Sequence, residues 1–296
     1  MYIVMGGTGH VGSAVVAALL REKKAVTVLT RDAARAANAR AAGAEVTEVD
    51  LRQVDALREV LRRGRRAFVL NPPADVTADS DAIEKRTIAG ILRALEGTGL
   101  EKVVGASTGG AQPGDRLGDL STLWTLEQGL REQAVPAAIN RAAYYMSNWD
   151  GLLDTVRDSG HLPTLFPADL PIPMVSPADV GEAAAKRLMA SVEDVGVQYV
   201  TGPRPYTSAE VAAVFSQRLA RSVSLDVAPR DQWAAWFGRL GFSAAAAESY
   251  ARMTAHCVDR GFDMPDDAWR GSTTLEAHLD AVLGRVGVQG ASSFTR

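Results

Sequence analysis

An α/β fold, a doubly wound parallel sheet covered by helices on both faces, is predicted by three features of this 296-residue chain. Apolar strand-like runs alternate with stretches of helical periodicity through roughly the first two hundred residues, the pattern of consecutive βα units. The chain also opens on Tyr2-Ile3-Val4-Met5 and passes directly into Gly6-Gly7-Thr8-Gly9-His10-Val11-Gly12, with an amphipathic helix behind it. A second strand, Ala25 to Thr30, follows at the distance one βαβ unit requires.

The elements can be taken in order. Strands are expected at Ile3–Met5, Val26–Leu29, Glu45–Glu48, Ala67–Leu70, Lys102–Ala106 and Ala137–Asn140. Helices are expected between them at Val11–Arg21, Ala33–Ala42, Val54–Arg62, Ser80–Glu96 and Leu120–Gln133. Beyond these, Pro163, Pro167, Pro171 and Pro173 imply an irregular segment between His161 and Met174. Ser176-Pro177-Ala178-Asp179 then starts a helix, and Thr207–Glu210 and Thr273–Glu276 read as capping boxes for two more. Trp233, Trp236, Phe237 and Leu240 share one helical stripe, which reads as core before it reads as a substrate lid.

Composition narrows the function classes. Hydrophobic residues make up 47% and charged residues 23%, as in ordinary globular proteins, and the formal net charge is −3. That balance gives no reason to expect nucleic acid or an anionic membrane as a partner. One cysteine, Cys257, excludes an internal disulfide and argues against structural zinc, and the four histidines are scattered, so no metal is expected. No apolar run is long enough to span a bilayer, and a core strand beginning at residue 2 leaves no room for a signal peptide. A cytoplasmic location is the expectation.

The glycines carry the chemistry. Gly6 lets the chain turn after a buried strand, Gly9 lets backbone approach a pyrophosphate, and Gly12 lets the helix lie against the sheet. The amides of the helix start then face the phosphates. Gly6, Thr8, Gly9, His10, Val11 and Gly12 are therefore expected at a dinucleotide in a Rossmann-type fold, His10 in a structural role. The second strand ends in Thr30-Arg31-Asp32, without the acid that usually receives the ribose 2′-hydroxyl. Arg31 suits a 2′-phosphate, and Asp32 is better placed to cap the next helix. NADPH is therefore expected over NADH; a solvated surface charge is the plainer reading of Arg31.

The other post-strand loops line the same groove. Asp50 can receive the adenine amino group, or cap the next helix, and Leu51 can pack on the ring. Asn71, Pro72 and Pro73 stiffen the loop beside the ribose and pyrophosphate, and Ser107 and Thr108 bring two hydroxyls to the nicotinamide. Tyr144, Tyr145, Met146, Asn148 and Trp149 follow the sixth strand, where a pocket opens, and read equally as pocket wall or as packing.

These features, in this order, resemble the NmrA-like group of atypical short-chain dehydrogenases/reductases. Matching pieces beyond the glycine turn are Thr30-Arg31, Asp50-Leu51, Asn71-Pro72-Pro73, Ala106-Ser107-Thr108 and Glu127–Glu132, then Asn140-Arg141 and Met146–Trp149, and finally Pro177–Gly181 and Val200–Pro203. The resemblance covers about residues 2 to 240. It implies either a quinone or azo reductase or a catalytically silent, dinucleotide-sensing regulator with a protein partner. One departure bears on mechanism: the Tyr-x-x-x-Lys pair of most short-chain dehydrogenases is missing from Leu117–Trp124, and the first lysine beyond it is Lys186. No tuned acid then protonates an alkoxide, so a small planar electrophile is the expected acceptor. Tyr144, Tyr145 and Ser107 are the catalytic candidates; Tyr144, Asn148, Trp149 and Trp233 are those for the acceptor. Residues 1–142 are expected to form the dinucleotide domain with 176–201 returning to it, 143–175 and 202–287 the substrate region, and 288–296 a flexible tail. A homodimer is left open.

Overall fold

The computed structural model describes residues 1–292, with side chains through Gly284. The first half alternates as the sequence requires: β1 (Tyr2–Met5), α1 (His10–Arg21), β2 (Val26–Thr30), α2 (Ala37–Ala41), β3 (Glu45–Glu48), α3 (Val54–Arg62), β4 (Arg66–Val69), α4 (Ser80–Leu95), β5 (Lys102–Thr108), α5 (Asp119–Arg131) and β6 (Ala137–Ala142). The second half runs β7 (Tyr144–Tyr145), α6 (Leu153–Ser159), β8 (His161–Thr164), β9 (Ile172–Val175), α7 (Pro177–Met189), β10 (Gly196–Thr201), β11 (Pro205–Tyr206) and α8 (Ser208–Leu219). It ends with β12 (Ser224–Val227), α9 (Trp233–Arg239), α10 (Ala244–Arg260), β13 (Trp269–Arg270) and α11 (Leu275–Ser292).

Eight strands form one parallel sheet in the order β13-β10-β6-β5-β4-β1-β2-β3. Strand order reverses between β1 and β4, so the crevice at their carboxyl ends is where such sheets take ligands. One core lies between the sheet and α3, α4 and α5, built from residues such as Leu57, Leu61, Ile88, Ile91 and Leu126. The opposite face packs Val15, Leu19, Ala184 and Leu188 of α1 and α7. Those two helices approach closely because residue 181 is glycine: a Cβ there would stand 2.3 Å from the Ala14 Cβ.

Several expectations need correction. The proline-rich segment holds two short strands, β8 and β9, with Pro163 and Pro173 inside them. β8 pairs with β12 alone, and in the central β9 Pro173 stands opposite Pro205 of β11 and before the β7 register, which starts at Met174. The helix expected over Ala33–Ala42 is divided into a 3₁₀ turn, Ala33–Ala36, and the short α2. The last cap is Thr274 rather than Thr273: its hydroxyl accepts the Ala277 amide at 3.2 Å, while the Thr273 amide goes to Asp179. Ser176 and Thr207 cap α7 and α8, the latter in a full capping box. Leu240 falls outside the aromatic stripe and is 57% exposed. α11 carries residues 288–292 in helix, and 293–296 of the expected tail lie outside the described residues. Among the described residues no helix is long and apolar enough to cross a membrane.

Candidate cofactor and acceptor site

Buried Met5 delivers the chain to Gly6 at φ +61, and the turn closes with the Gly9 amide donating to the Gly6 carbonyl at 2.9 Å. A Cβ at residue 12 would stand 2.1 Å from that same carbonyl oxygen, so only glycine lets α1 start against the turn. α1 has no side-chain cap and no acid in its first turn. The His10, Val11 and Gly12 amides lie in that turn, where no intrahelical acceptor exists, and none has a partner among the described residues. Thr8 is half-buried and His10 exposed. The Val11 side chain packs into the core beneath, so its contribution to the turn is its amide. Donors without acceptors at a positive helix end suit a pyrophosphate.

At the end of β2, the Asp32 carboxylate accepts the Ala34 amide at 2.9 Å and caps the turn. Arg31 is exposed and makes no ion pair among the described residues. Asp50 departs from expectation: it holds Arg52 through both oxygens, at 3.0 and 2.7 Å, and accepts the Arg52 amide. That partner keeps the Asp50 carboxyl below its ordinary range, with a smaller contribution from Arg31. Leu51 packs its side chain into the core with Leu57 and Ile88.

Across the switch point, Leu70 sits where a Gly6 Cβ would be, 2.7 Å away, which sets the next residues beside the glycine turn. Asn71 follows, and its buried Oδ1 has no hydrogen-bond partner among the described residues. An orphaned acceptor costs free energy unless something donates to it. Pro72 and Pro73 hold the loop around it.

Ser107 is buried and its hydroxyl is committed within the protein. Its hydroxyl donates to Glu127 at 2.5 Å, and Glu127 also accepts Arg141 through Nε and Nη2, both at 2.8 Å. Arg141 continues to the Ala111 carbonyl and to the Tyr199 hydroxyl, which donates to Asp263 at 2.7 Å. Strand alternation turns the neighbouring Thr108 the other way, with its hydroxyl donating only weakly to the Gly109 carbonyl. Glu127 and Arg141 carried no assigned role at the level of sequence, although both stand in matching motifs; they build this end of the sheet.

The adjacent tyrosines also face opposite sides of their strand. Tyr144 stands edge-on to Trp149, Phe166 and Phe262, with centroids 6.0, 5.5 and 6.4 Å away. Tyr145 packs with Ala142, Val180 and Val200, a cluster that Val11 of the glycine turn also joins. Burial pushes both phenols up to about 12, with the Asp119 charge adding at Tyr145. Both are therefore neutral donors at ordinary pH, with no lysine to tune them. Lys186 lies over the Trp269 ring instead. Asn148 is exposed and Trp149 almost fully buried. Trp233 belongs to a separate satellite core with Leu165 and Phe237, its Nε1 donating to the Ala228 carbonyl at 3.0 Å, so it does not line the groove.

Two features had no sequence signature. Asp81 and Glu84 of α4 are buried, and Asp119 at the start of α5 adds a third carboxyl. The second is a pocket of about 370 Å³ between the loop after β5 and the end of α10, with Gly109, Gln112, Leu120, His256, Arg260 and Phe262 among its walls.

The fold is shared with known proteins. An NAD(P)H azoreductase from Xenophilus azovorans is 27% identical over 225 residues, 75% of each chain. Citrobacter sp. triphenylmethane reductase, solved with NADP(H), superposes with a TM-score of 0.78 at 17% identity, covering 95% of this chain and 99% of the other. The Escherichia coli NADPH-dependent quinone oxidoreductase QOR2, solved with NADPH, gives 0.76 at 18%, covering 97% and 100%. Residues 2–259 match the model of the NmrA-like family, and the chain belongs to that family.

Proposed function

We propose that the protein is an NADPH-dependent reductase of a small planar electrophile, a quinone or an azo compound. The observation that carries this reading is the glycine turn, with three unpartnered amides, the uncommitted Arg31 and the orphaned Asn71 Oδ1 around one crevice. The amides and Gly9 would hold the pyrophosphate, Arg31 the 2′-phosphate, and Asn71 a ribose hydroxyl. Thr108 and Tyr145 border the nicotinamide end, and 143–175 with 202–287 form the acceptor region. Bound there, NADPH would supply the hydride, and one proton would complete the two-electron reduction.

The tyrosines decide which acceptors fit. Among the described residues neither has a cation to lower its pKa, so neither is tuned to protonate an alkoxide as hydride arrives. A quinone yields a delocalised phenolate that solvent can protonate afterwards. NADPH oxidation measured against menadione, an azo dye and an aliphatic ketone tests the reading. The first two are expected to outpace the ketone by roughly 10²-fold or more. Fast ketone turnover would overturn it. NADPH binding without turnover of any acceptor would favour a dinucleotide-sensing regulator.

A further inference from the structure

We infer that Arg260 reads a negative charge on the acceptor, so that the preferred substrates are aromatic acceptors bearing a carboxylate or sulfonate. This deepens the reductase reading and rests on it. The pocket between the β5 loop and the end of α10 adjoins the expected nicotinamide position through Gly109, which directly follows Thr108. Its Phe262 wall belongs to the aromatic cluster around Tyr144, and Leu120 adds an apolar surface. About 370 Å³ with such walls suits one or two fused rings.

The charges around the pocket leave one cation unmatched. Gln112 Nε2 donates to the Gly110 carbonyl at 3.0 Å and lies 2.8 Å from His256 Nε2. Having donated one proton to the carbonyl, the amide gives its other to the ring, so His256 accepts at Nε2 and carries its proton on Nδ1. Asp263 is taken by the Tyr199 hydroxyl and stands 3.9 Å from Arg141. Asp259, next to Arg260 in the chain, is held by Arg230 at 2.5 and 2.6 Å. Arg260 makes no ion pair among the described residues, although both nearby acids are in bridges of their own. A guanidinium beside a slot with Phe262 and Leu120 in its walls pairs with an oxyanion carried on a ring.

The test compares menadione with a ring-sulfonated naphthoquinone in wild type and Arg260→Gln. The ratio of KM for the sulfonated quinone to KM for menadione is expected to rise about tenfold in the variant, with kcat little changed. High salt should shrink the wild-type preference. KM for NADPH reports that the variant is folded. An unchanged ratio, or equal loss on both quinones, overturns the proposal. Calorimetry with naphthalene sulfonate and NADP⁺ separates the two claims because it needs no turnover. Binding that weakens about tenfold in Arg260→Gln, with no quinone reduced, would sink the reductase and keep the anion site. Equal binding to both proteins would remove the anion site whether or not quinones are reduced.

Discussion

Ser249 donates its hydroxyl to Asp81 at 2.7 Å across 168 positions of sequence, and the same oxygen accepts the Gly118 amide at 2.9 Å. One fully buried hydroxyl thereby ties α10 to the starts of α4 and α5. Around it, burial pushes the Glu84 carboxyl up to about 7; the Asp119 and Asp81 charges add, and the Thr122 hydroxyl and Ala74 amide oppose. Asp119 is raised too, by burial and by Asp81.

This cluster gives stability a pH dependence of definite sign. A carboxyl whose folded pKa lies above its ordinary 4.5 holds its proton longer folded than unfolded. Stability therefore falls as pH climbs from 4.5 to about 7, and the penalty is complete above that. Glu84→Gln, which keeps an acceptor for Thr122, is expected to gain about 2–3 kcal/mol at about pH 8 and nothing near pH 4. Urea unfolding at the two pH values checks it; an equal gain at both would refute the assignment.

Arg31→Ala should weaken NADPH about tenfold to a hundredfold, a charge-assisted phosphate contact being worth ~1.5–3 kcal/mol. NADH affinity should hardly move. Calorimetry with both cofactors decides; equal wild-type affinities would show that Arg31 is a solvated charge.

Gly12→Ala drives a methyl into the Gly6 carbonyl, whose oxygen would lie 2.1 Å away. Backbone has to give, and the turn loses its shape. The rise in melting temperature on adding saturating NADPH should fall by more than half in this variant. A full rise would mean that α1 can back away without harm.

Arg141→Met leaves Glu127, 1% exposed, with only Ser107 and the more distant Arg131 as partners. Breaking a buried pair from one side costs about 3–5 kcal/mol. Adding Glu127→Leu should recover most of it, and chemical denaturation of the single and double variants measures the difference.

Tyr145→Phe and Tyr144→Phe should each leave the quinone rate within a few-fold, where losing a working general acid costs roughly 10²–10⁴-fold. Collapse of the rate in Tyr145→Phe alone would identify it as the proton donor.

The sheet was legible because its strands are apolar runs between amphipathic helices; the expected Val54–Arg62 helix matches α3 residue for residue. Two-residue strands such as β7, β11 and β13 carry no periodicity of their own and exist only through their partners. In the site, the glycine turn was legible because its steric demands are local. Less legible was which way side chains turn: Ser107 faces Glu127 because adjacent β5 residues point to opposite sides, and Leu51, in the turn after β3, packs into the core. The carboxyl cluster was invisible because Asp81, Asp119 and Ser249 meet only after folding.

β13 has a consequence for how the molecule opens. Trp269 and Arg270 pair with Val200 and Thr201, the Gly271 amide donates to the Thr201 carbonyl at 2.7 Å, and Asp179 of α7 receives the Thr273 amide. Together with the Ser249 bonds from α10 to the starts of α4 and α5, these contacts sew the C-terminal segments to the sheet and to the helices that cover it. Ties of this kind at β10, α7, α4 and α5 favour a single cooperative unfolding transition, which calorimetry would register as one peak.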